Sequence, residues 1–304
     1  MNEYAVGLDI GGTKTSAGLV TRAGEVVARA EAPTPARSGS AQILATAVSL
    51  ARGLMRGRRV CAAGVGSAGV IDRRRVVSAT DQLAGWAGTE LGMLLEAALG
   101  VPVVIDNDVH AHAVGEAFAG AGRGHGTILV VAVGTGIGGA VVVDGVPQSG
   151  AHGAAGHIGH IWAMEAAGLT CPCGRIGHLE AISSGVALQQ LYRRLGGAVD
   201  VADARAVVAR TETDPLAHGA VTISARALGH ALGGLVNVVD PDVLIVAGGM
   251  RNAGRLWWST MEEAVRTTAV PLLDGLPVVS AQLGDDAAII GAAHRAFESV
   301  RGAG

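Results

Sequence analysis

The chain has 304 residues, 49% of them hydrophobic, and a formal net charge of −3, enough apolar material for two cores. No basic run exceeds Arg73-Arg74-Arg75, which reads as a solvated turn, so neither nucleic acid nor an acidic membrane is expected as a partner. Three cysteines, with Cys61 inside an apolar run, do not make a disulfide framework, and no charged-then-apolar leader precedes the first strand pattern; the expected location is cytoplasmic.

Tyr4 to Ile10 predicts a strand, Gly11-Gly12-Thr13-Lys14 a turn and Thr15 to Val20 a second strand, together a hairpin. Arg22 to Glu25 marks another turn and Val26 to Ala30 a third strand; Pro33-Thr34-Pro35 breaks the chain before a helix over Ala41 to Met55. Val60 to Gly66 reads as a buried strand running into Gly66-Ser67-Ala68-Gly69. A helix over Glu90 to Leu99, a strand over Val101 to Ile105 and a helix over Asp108 to Ala119 follow. Gly126 to Val143 carries no charge and is long enough to cross a bilayer, but two β-branched runs around a glycine-rich centre read better as strand, turn, strand. Beyond Ser183 the pattern is mostly helical, through Ser224 to Val239, until Asp240-Pro241 stops it. Val243 to Ala247 is a strand, Gly248-Gly249-Met250 a turn, Val278 to Ala281 a strand and Ala287 to Val300 the last helix. The alternation makes the class α/β. Two lobes are expected, residues 1–114 with 290–304 and residues 115–289, hinged near residue 114 without a Pro- or Ser-rich linker.

Two glycine turns stand out. Asp9 to Thr15 lacks the G-x-x-x-x-G-K-[ST] spacing of a P-loop, and Gly7, Gly11 and Gly12 do not make a dinucleotide fingerprint. A phosphate-facing hairpin and an ordinary hairpin turn are both compatible with it. Gly134-Thr135-Gly136-Ile137-Gly138-Gly139 is a second such turn between strands, and two turns, one per lobe, would hold phosphates from two sides.

The segment His152 to Gly185 holds four of the ten histidines and two of the three cysteines. His160, Cys171, Cys173 and His178 supply the four nitrogen and sulfur donors that tetrahedral Zn²⁺ takes in a structural site. A metal-free loop with surface histidines is the alternative. His157 and Glu180 are left over as polar groups beside these donors.

In combination these motifs resemble the ROK family of repressors and kinases: LDIGGTK at Leu8 to Lys14, IDND at Ile105 to Asp108, VGTGIGG at Val133 to Gly139, AGHIGH at Ala155 to His160, and CPCGRIGHLE at Cys171 to Glu180. The resemblance spans the chain in the family's order. It implies a two-lobed, actin-like ATPase (ribonuclease H-like) fold with a zinc-binding insertion, and a homodimer. The family's repressors carry an N-terminal helix-turn-helix, whereas this sequence opens at the first strand, which favours the kinase branch.

For a kinase, the resemblance implies ATP with catalytic Mg²⁺ and structural Zn²⁺, and transfer of the γ-phosphoryl group to the 6-hydroxyl of a hexose. Asp108 would be the catalytic base, although an Asp at the start of a helix also suits a plain cap. Asn107, Asp108, His157, His160, Glu180 and Gly69 would meet the sugar. Asp9, Gly11, Gly12, Thr13, Lys14, Gly134, Thr135, Gly136 and Gly138 would face phosphate and its metal, with Gly248 and Gly249 under the adenosine. Asp9 reads equally as a turn-forming residue, and Lys14 as solvated. Metal ligands would be His160, Cys171, Cys173 and His178.

Two positions depart from the family pattern. His178 stands where the zinc motif has its third Cys, and His157 where the sugar-binding pair has Glu. A further substitution, His110, occupies a position that is often Asn. The His157 variant and Pro33-Thr34-Pro35-Ala36 resemble N-acetylmannosamine kinases of the family, which favours an amino or N-acylamino hexose, of N-acetylmannosamine or kanosamine type. Glucose, a C7-cyclitol, and a non-catalytic sugar sensor are the alternatives.

Overall fold

The computed structural model describes residues 3–79 and 83–301; the chain ends within the expected first lobe, 1–2 and 302–304, lie outside the described residues. The chain opens with strands β1 (Tyr4–Ile10), β2 (Lys14–Thr21) and β3 (Val26–Pro33), helix α1 (Ser40–Met55) and strands β4 (Val60–Ser67), β5 (Val70–Asp72) and β6 (Arg75–Ser78). It continues with α2 (Leu91–Leu99), β7 (Val103–Asn107), α3 (Asp108–Ala119), β8 (Thr127–Val133), β9 (Ile137–Val143) and β10 (Val146–Pro147). Then come α4 (Glu180–Ser183), α5 (Gly185–Arg194), α6 (Ala204–Val208), α7 (Pro215–Val239), β11 (Val243–Ala247), α8 (Gly254–Thr268), β12 (Val278–Ser280) and α9 (Asp286–Arg301). The class is α/β, with two compact units, 1–124 with 142–155 and 282–304, and 125–141 with 156–281.

The first unit is built on a mixed sheet in the order β3-β2-β1-β4-β7, with β1, β4 and β7 parallel and β2 and β3 antiparallel. Leu8, Ile10, Leu19, Ile43, Trp86 and Leu91 are fully buried in its core. Glycine lets α9 lie directly on the sheet: a Cβ on Gly7 would run into the carbonyl of Ile289, and one on Gly64 into that of Ala292. The same device seats α3 on α9, where Gly291 faces the Ala111 carbonyl and Gly115 that of Ala287. β7 is the edge strand of this sheet, and its last residue, Asn107, leads directly into α3.

A short hairpin of β5 and β6 was not foreseen as strands. Its turn is Arg73-Arg74, both at positive φ (46° and 70°), the backbone of a type I′ hairpin turn in residues that rarely adopt it. Arg74 is held there by Glu96 at 2.6 Å and Arg75 by Glu90 at 3.1 Å. The arginine trio thus serves a turn, as its polarity suggested, but its last member opens β6.

The second unit carries β9, β8, β11 and β12 as neighbours, with β8, β11 and β12 parallel. β10 pairs with the end of β9, Val146 against Val143 and Pro147 against Val142, all within the first unit. The uncharged stretch 126–143 is therefore β8, turn, β9, and among the described residues no helix is long and apolar enough to cross a membrane. α7 begins as its sequence dictates, with Asp214 accepting from the N–H groups of Leu216 and Ala217 and Pro215 at the first helical position. It packs on α8, whose buried Trp257, Met261, Ala264 and Val265 form one stripe.

Candidate active site

In the first unit the IDND motif falls where β7 ends and α3 begins. Asn107 is the N-cap: its Oδ1 accepts from the N–H groups of Val109 (2.9 Å) and His110 (3.4 Å), and its Nδ2 donates to the carbonyl of Gly69 (2.9 Å). Capping therefore belongs to Asn107, and Asp108, one residue on, is the first residue of the helix. Asp108 Oδ1 accepts from its neighbour Val109 N–H at 2.9 Å. The protein packed around it pushes its carboxyl above the usual range, against the pull of that N–H. A raised carboxyl pKa is what a proton acceptor in phosphoryl transfer needs.

Asp9 is the penultimate residue of β1 and pairs in register with Ser16 on one side and Gly66 on the other. Burial, then the negative charge of Asp108, push it up to about 7, while Lys14 opposes the shift. The two carboxylates thus share one field, short of positive charge, a place that a divalent cation would relieve. Lys14 supplies little of it: its Nζ sits 3.1 Å from Asp285 and 3.3 Å from Glu31, both exposed, and these partners raise its pKa.

The first glycine turn is closed by Gly11 N–H to the Lys14 carbonyl (3.1 Å) and braced by Thr34. Thr34 N–H donates to the Thr13 carbonyl (2.9 Å), its hydroxyl donates to the Gly11 carbonyl (2.8 Å), and the same hydroxyl lies 2.8 Å from that of Thr15. The Pro33-Thr34-Pro35 break is thereby part of the turn. Gly69, at φ 107°, has no room for a side chain, since a Cβ would stand 2.5 Å from the Ser78 carbonyl. A small cavity beside these groups is lined by Ile71, Ile105, Asn107, His110 and Ser149. His110 is buried and its Nε2 lies 3.1 Å from the Ala155 carbonyl.

The second unit holds the other turn and the His/Cys segment. Gly134 N–H donates to the Gly136 carbonyl (2.9 Å) and Gly185 N–H to the Gly134 carbonyl (2.7 Å), while Thr135 is exposed at the tip. Gly248, at φ 81°, abuts the backbone of Val133 where a Cβ would collide. Gly249 opens a short 3₁₀ turn to Asn252, tied by the Trp258 indole donating to the Arg251 carbonyl (2.7 Å).

A backbone ladder places the four metal-ligand candidates. Leu179 N–H donates to the Ile161 carbonyl and Ala163 N–H to the Gly177 carbonyl, both at 2.9 Å, which sets His160 beside His178, ring centroids 5.3 Å apart. A tight turn, Gly174 N–H to the Cys171 carbonyl at 2.8 Å, brings Cys171 and Cys173 to the same end. The donor atoms of His160, Cys171, Cys173 and His178 all lie within 4.8 Å of one another. Cys171 Sγ is 3.6 Å from His160 Nδ1 and Cys173 Sγ 3.2 Å from His178 Nδ1. A tetrahedral zinc site with ligand bonds of about 2.0–2.3 Å has ligand–ligand edges of roughly 3.4–3.8 Å, so the donor set fits the ion with small adjustment. Burial lowers the His160 pKa, favouring the neutral imidazole that ligates, and pushes the Cys171 thiol up to about 11, so that a dication is what would bring it to the thiolate. His157 stacks beside His160, ring centroids 5.9 Å apart.

The model of the ROK family matches residues 5–298. The chain belongs to that family. It is 32% identical to a glucokinase of Streptomyces coelicolor, over 96% of this chain and 97% of the relative. It is also 32% identical to an N-acetylmannosamine kinase of Escherichia coli, over 79% and 81%. Among solved structures, a ROK hexokinase from Thermus thermophilus superposes with a TM-score of 0.87 at 32% identity, covering 98% of this chain and 99% of that one. A ROK glucokinase from Streptomyces griseus, solved with glucose and AMPPNP, gives 0.81 at 30%, covering 97% and 99%. The chain is a sugar kinase of the ROK type.

One buried group that motif reading passed over belongs to this ROK chain's first unit. Glu116, 0% exposed in α3, accepts from the N–H groups of Ala121 (2.9 Å), Gln282 (3.1 Å) and Leu283 (2.8 Å), and so fixes the loop that leads to Asp285 and α9. The signal for it was a lone acid on the apolar side of a helix.

Proposed function

We propose that the protein transfers the γ-phosphoryl group of MgATP to the 6-hydroxyl of a hexose that carries an amino or N-acylamino substituent. Asp108 carries the reading: a carboxyl at the first position of α3, with its pKa raised by burial, released from capping by Asn107, and next to a carboxylate that a cation would settle. In this reading Asp108 takes the proton of the attacking hydroxyl, and Asp9 holds Mg²⁺ directly or through water, where the ion would neutralise charge on the phosphates. The turns at Gly11-Gly12-Thr13 and Gly134 to Gly138 offer backbone N–H groups to phosphate, and Gly248-Gly249 lies under the adenosine. Asn107, Gly69, His157, His160 and Glu180 contact the sugar. Lys14, bound by Asp285 and Glu31, acts on phosphate through that network. Zn²⁺ held by His160, Cys171, Cys173 and His178 would stiffen the segment from which His157, His160 and Glu180 project.

Two observations support the substituted hexose. A neutral imidazole at His157 accepts one hydrogen bond and donates one, where a carboxylate would only accept. The small cavity beside Asn107, lined by Ile71, Ile105, Asp106, His110, Ser149 and Gly153, is mainly polar and offers hydrogen-bonding groups to a polar substituent. Glucose is the second reading, supported by the 32% identity to a glucokinase over 96% of this chain. A panel of glucose, free aminohexoses and N-acetylhexosamines with ATP and Mg²⁺, followed by coupled ADP release, ranks them by kcat/KM. Highest turnover with an N-acetylated or amino hexose bears the proposal out. Preference for glucose selects the second reading, and folded protein without sugar-dependent ADP release refutes both.

A further inference from the structure

The second glycine turn is held by the segments on either side of the His/Cys loop, and a side chain does part of the holding. Glu180 Oε2 accepts from Ile137 N–H at 2.7 Å, in the middle of the sequence that would face phosphate. The preceding Gly136 has no space for a side chain, because a Cβ would stand 2.6 Å from that same oxygen. From the other side Gly159 presses on the Ile137 carbonyl, with its own missing Cβ 3.2 Å from Glu180 Oε2. Gly139 N–H donates to the Gly156 carbonyl (2.8 Å) and Gly185 N–H to the Gly134 carbonyl (2.7 Å), which fixes the turn at both ends. Ile137 is itself buried, so its N–H has no water to fall back on. Only one oxygen of the Glu180 carboxylate is committed in this way; Oε1 takes no hydrogen bond among the described residues.

We propose that Glu180 is a positioning residue for the nucleotide turn as well as a sugar contact, so that one carboxylate couples the two binding events. The inference rests on the reading of Gly134 to Gly138 as a phosphate turn. With Oε2 anchored on Ile137, a sugar hydroxyl donating to Oε1 fixes the carboxylate plane and with it the direction of the Gly136-Ile137 peptide. Coupling of this kind is reciprocal: sugar tightens nucleotide binding by the factor by which nucleotide tightens sugar binding.

Sugar-free titration separates this role from a plain sugar contact. AMPPNP with Mg²⁺ is titrated calorimetrically into the wild-type chain, Glu180→Ala, Glu180→Gln and Gly136→Ala, each checked for a cooperative melt. Glu180→Ala strands a buried N–H and is expected to weaken AMPPNP about fivefold or more with no sugar present. Glu180→Gln keeps a carbonyl oxygen for Ile137 N–H and is expected to restore affinity to within about twofold of wild type. Gly136→Ala displaces the same contact from the turn side with the carboxylate intact, and is expected to weaken AMPPNP as Glu180→Ala does. Unchanged AMPPNP affinity in Glu180→Ala, or in Gly136→Ala should Glu180→Ala not fold, overturns the proposal while leaving the kinase reading in place. A wild-type chain that does not bind AMPPNP overturns the phosphate reading of the turn, and the proposal with it.

Discussion

Removing the Glu116 carboxylate tests how the first unit holds the loop that leads into α9. The group is fully buried and accepts three backbone N–H bonds, at 2.8 to 3.1 Å, from the loops at 121 and at 282–283. In Glu116→Ala, Ala121 and Leu283 are partly buried and lose their acceptor, whereas Gln282 is exposed and regains one from water. At about 1–1.5 kcal/mol for each stranded donor, with a further contribution from the void left by the side chain, the loss comes to about 3 kcal/mol. Glu116→Gln should recover little, because its amide keeps one accepting oxygen but turns an N–H₂ toward the remaining donors. Denaturant melts of the nucleotide-free protein, read by near-ultraviolet dichroism, measure the change. Because Asp285 lies two residues beyond Leu283 and pairs with Lys14, the KM for ATP should rise in the same variants, with the KM for sugar changing less. A Glu116→Ala protein within about 1 kcal/mol of wild type would refute the reasoning, since two partly buried donors could then be stranded without consequence.

Asp108→Asn should retain sugar binding by calorimetry and lose about 10²–10⁴-fold in kcat; a variant of near-normal turnover removes Asp108 from the chemistry. Asp9, raised from 3.8 to about 7, holds in the folded state a proton that the unfolded chain releases, so stability falls as pH rises through that window. In nucleotide-free protein without added Mg²⁺, Asp9→Asn should therefore be more stable than wild type at pH 8, by about 2–4 kcal/mol, and equal to it near pH 4; equal melts at both pH values count against the buried-charge account. Protein purified without added zinc should carry close to one equivalent per chain, and Cys171→Ser should lose it together with thermal stability. Metal content far below one equivalent in the wild type points to the metal-free loop instead.

Secondary structure was legible wherever period and punctuation agreed. β1, α3 and β11 fall on the residues that their patterns named, because each is a largely apolar run or a capped helix bounded by Gly, Asn or Asp. α8 was missed although Trp257, Met261, Ala264 and Val265 keep a helical period. A glycine start without a capping side chain and two adjacent tryptophans hid it. The β5–β6 hairpin was hidden for the opposite reason, since its turn uses arginines where glycine or asparagine would have announced it. Site motifs could be located from sequence but not their internal wiring. That Asn107 rather than Asp108 caps α3, that Thr34 braces the first turn and that Glu180 reaches Ile137 are facts of side-chain direction, which motif spacing does not encode.

The two departures from the ROK pattern act on the same wall and in the same electrical direction. His178 replaces a thiolate and His157 a carboxylate, so a segment that would carry two more negative charges carries imidazoles, which are never negative. Glu180, two residues from His178 and within reach of the His160 field, is left as the acid of this wall. A hexose with a free amine is largely cationic at neutral pH and would lose attraction here relative to a wall with the full set of acids. An N-acylated amine is neutral, and its amide N–H and carbonyl match the single acceptor and single donor of an imidazole. Electrostatics and hydrogen bonding therefore favour the acylated sugar over the free amine of the same stereochemistry. The expected kcat/KM ratio exceeds about tenfold, the scale of one charge-assisted hydrogen bond, and should fall when His157→Glu restores the carboxylate. A free aminohexose preferred at pH 7, and preferred no further by His157→Glu, would show that charge at this wall does not select the substrate.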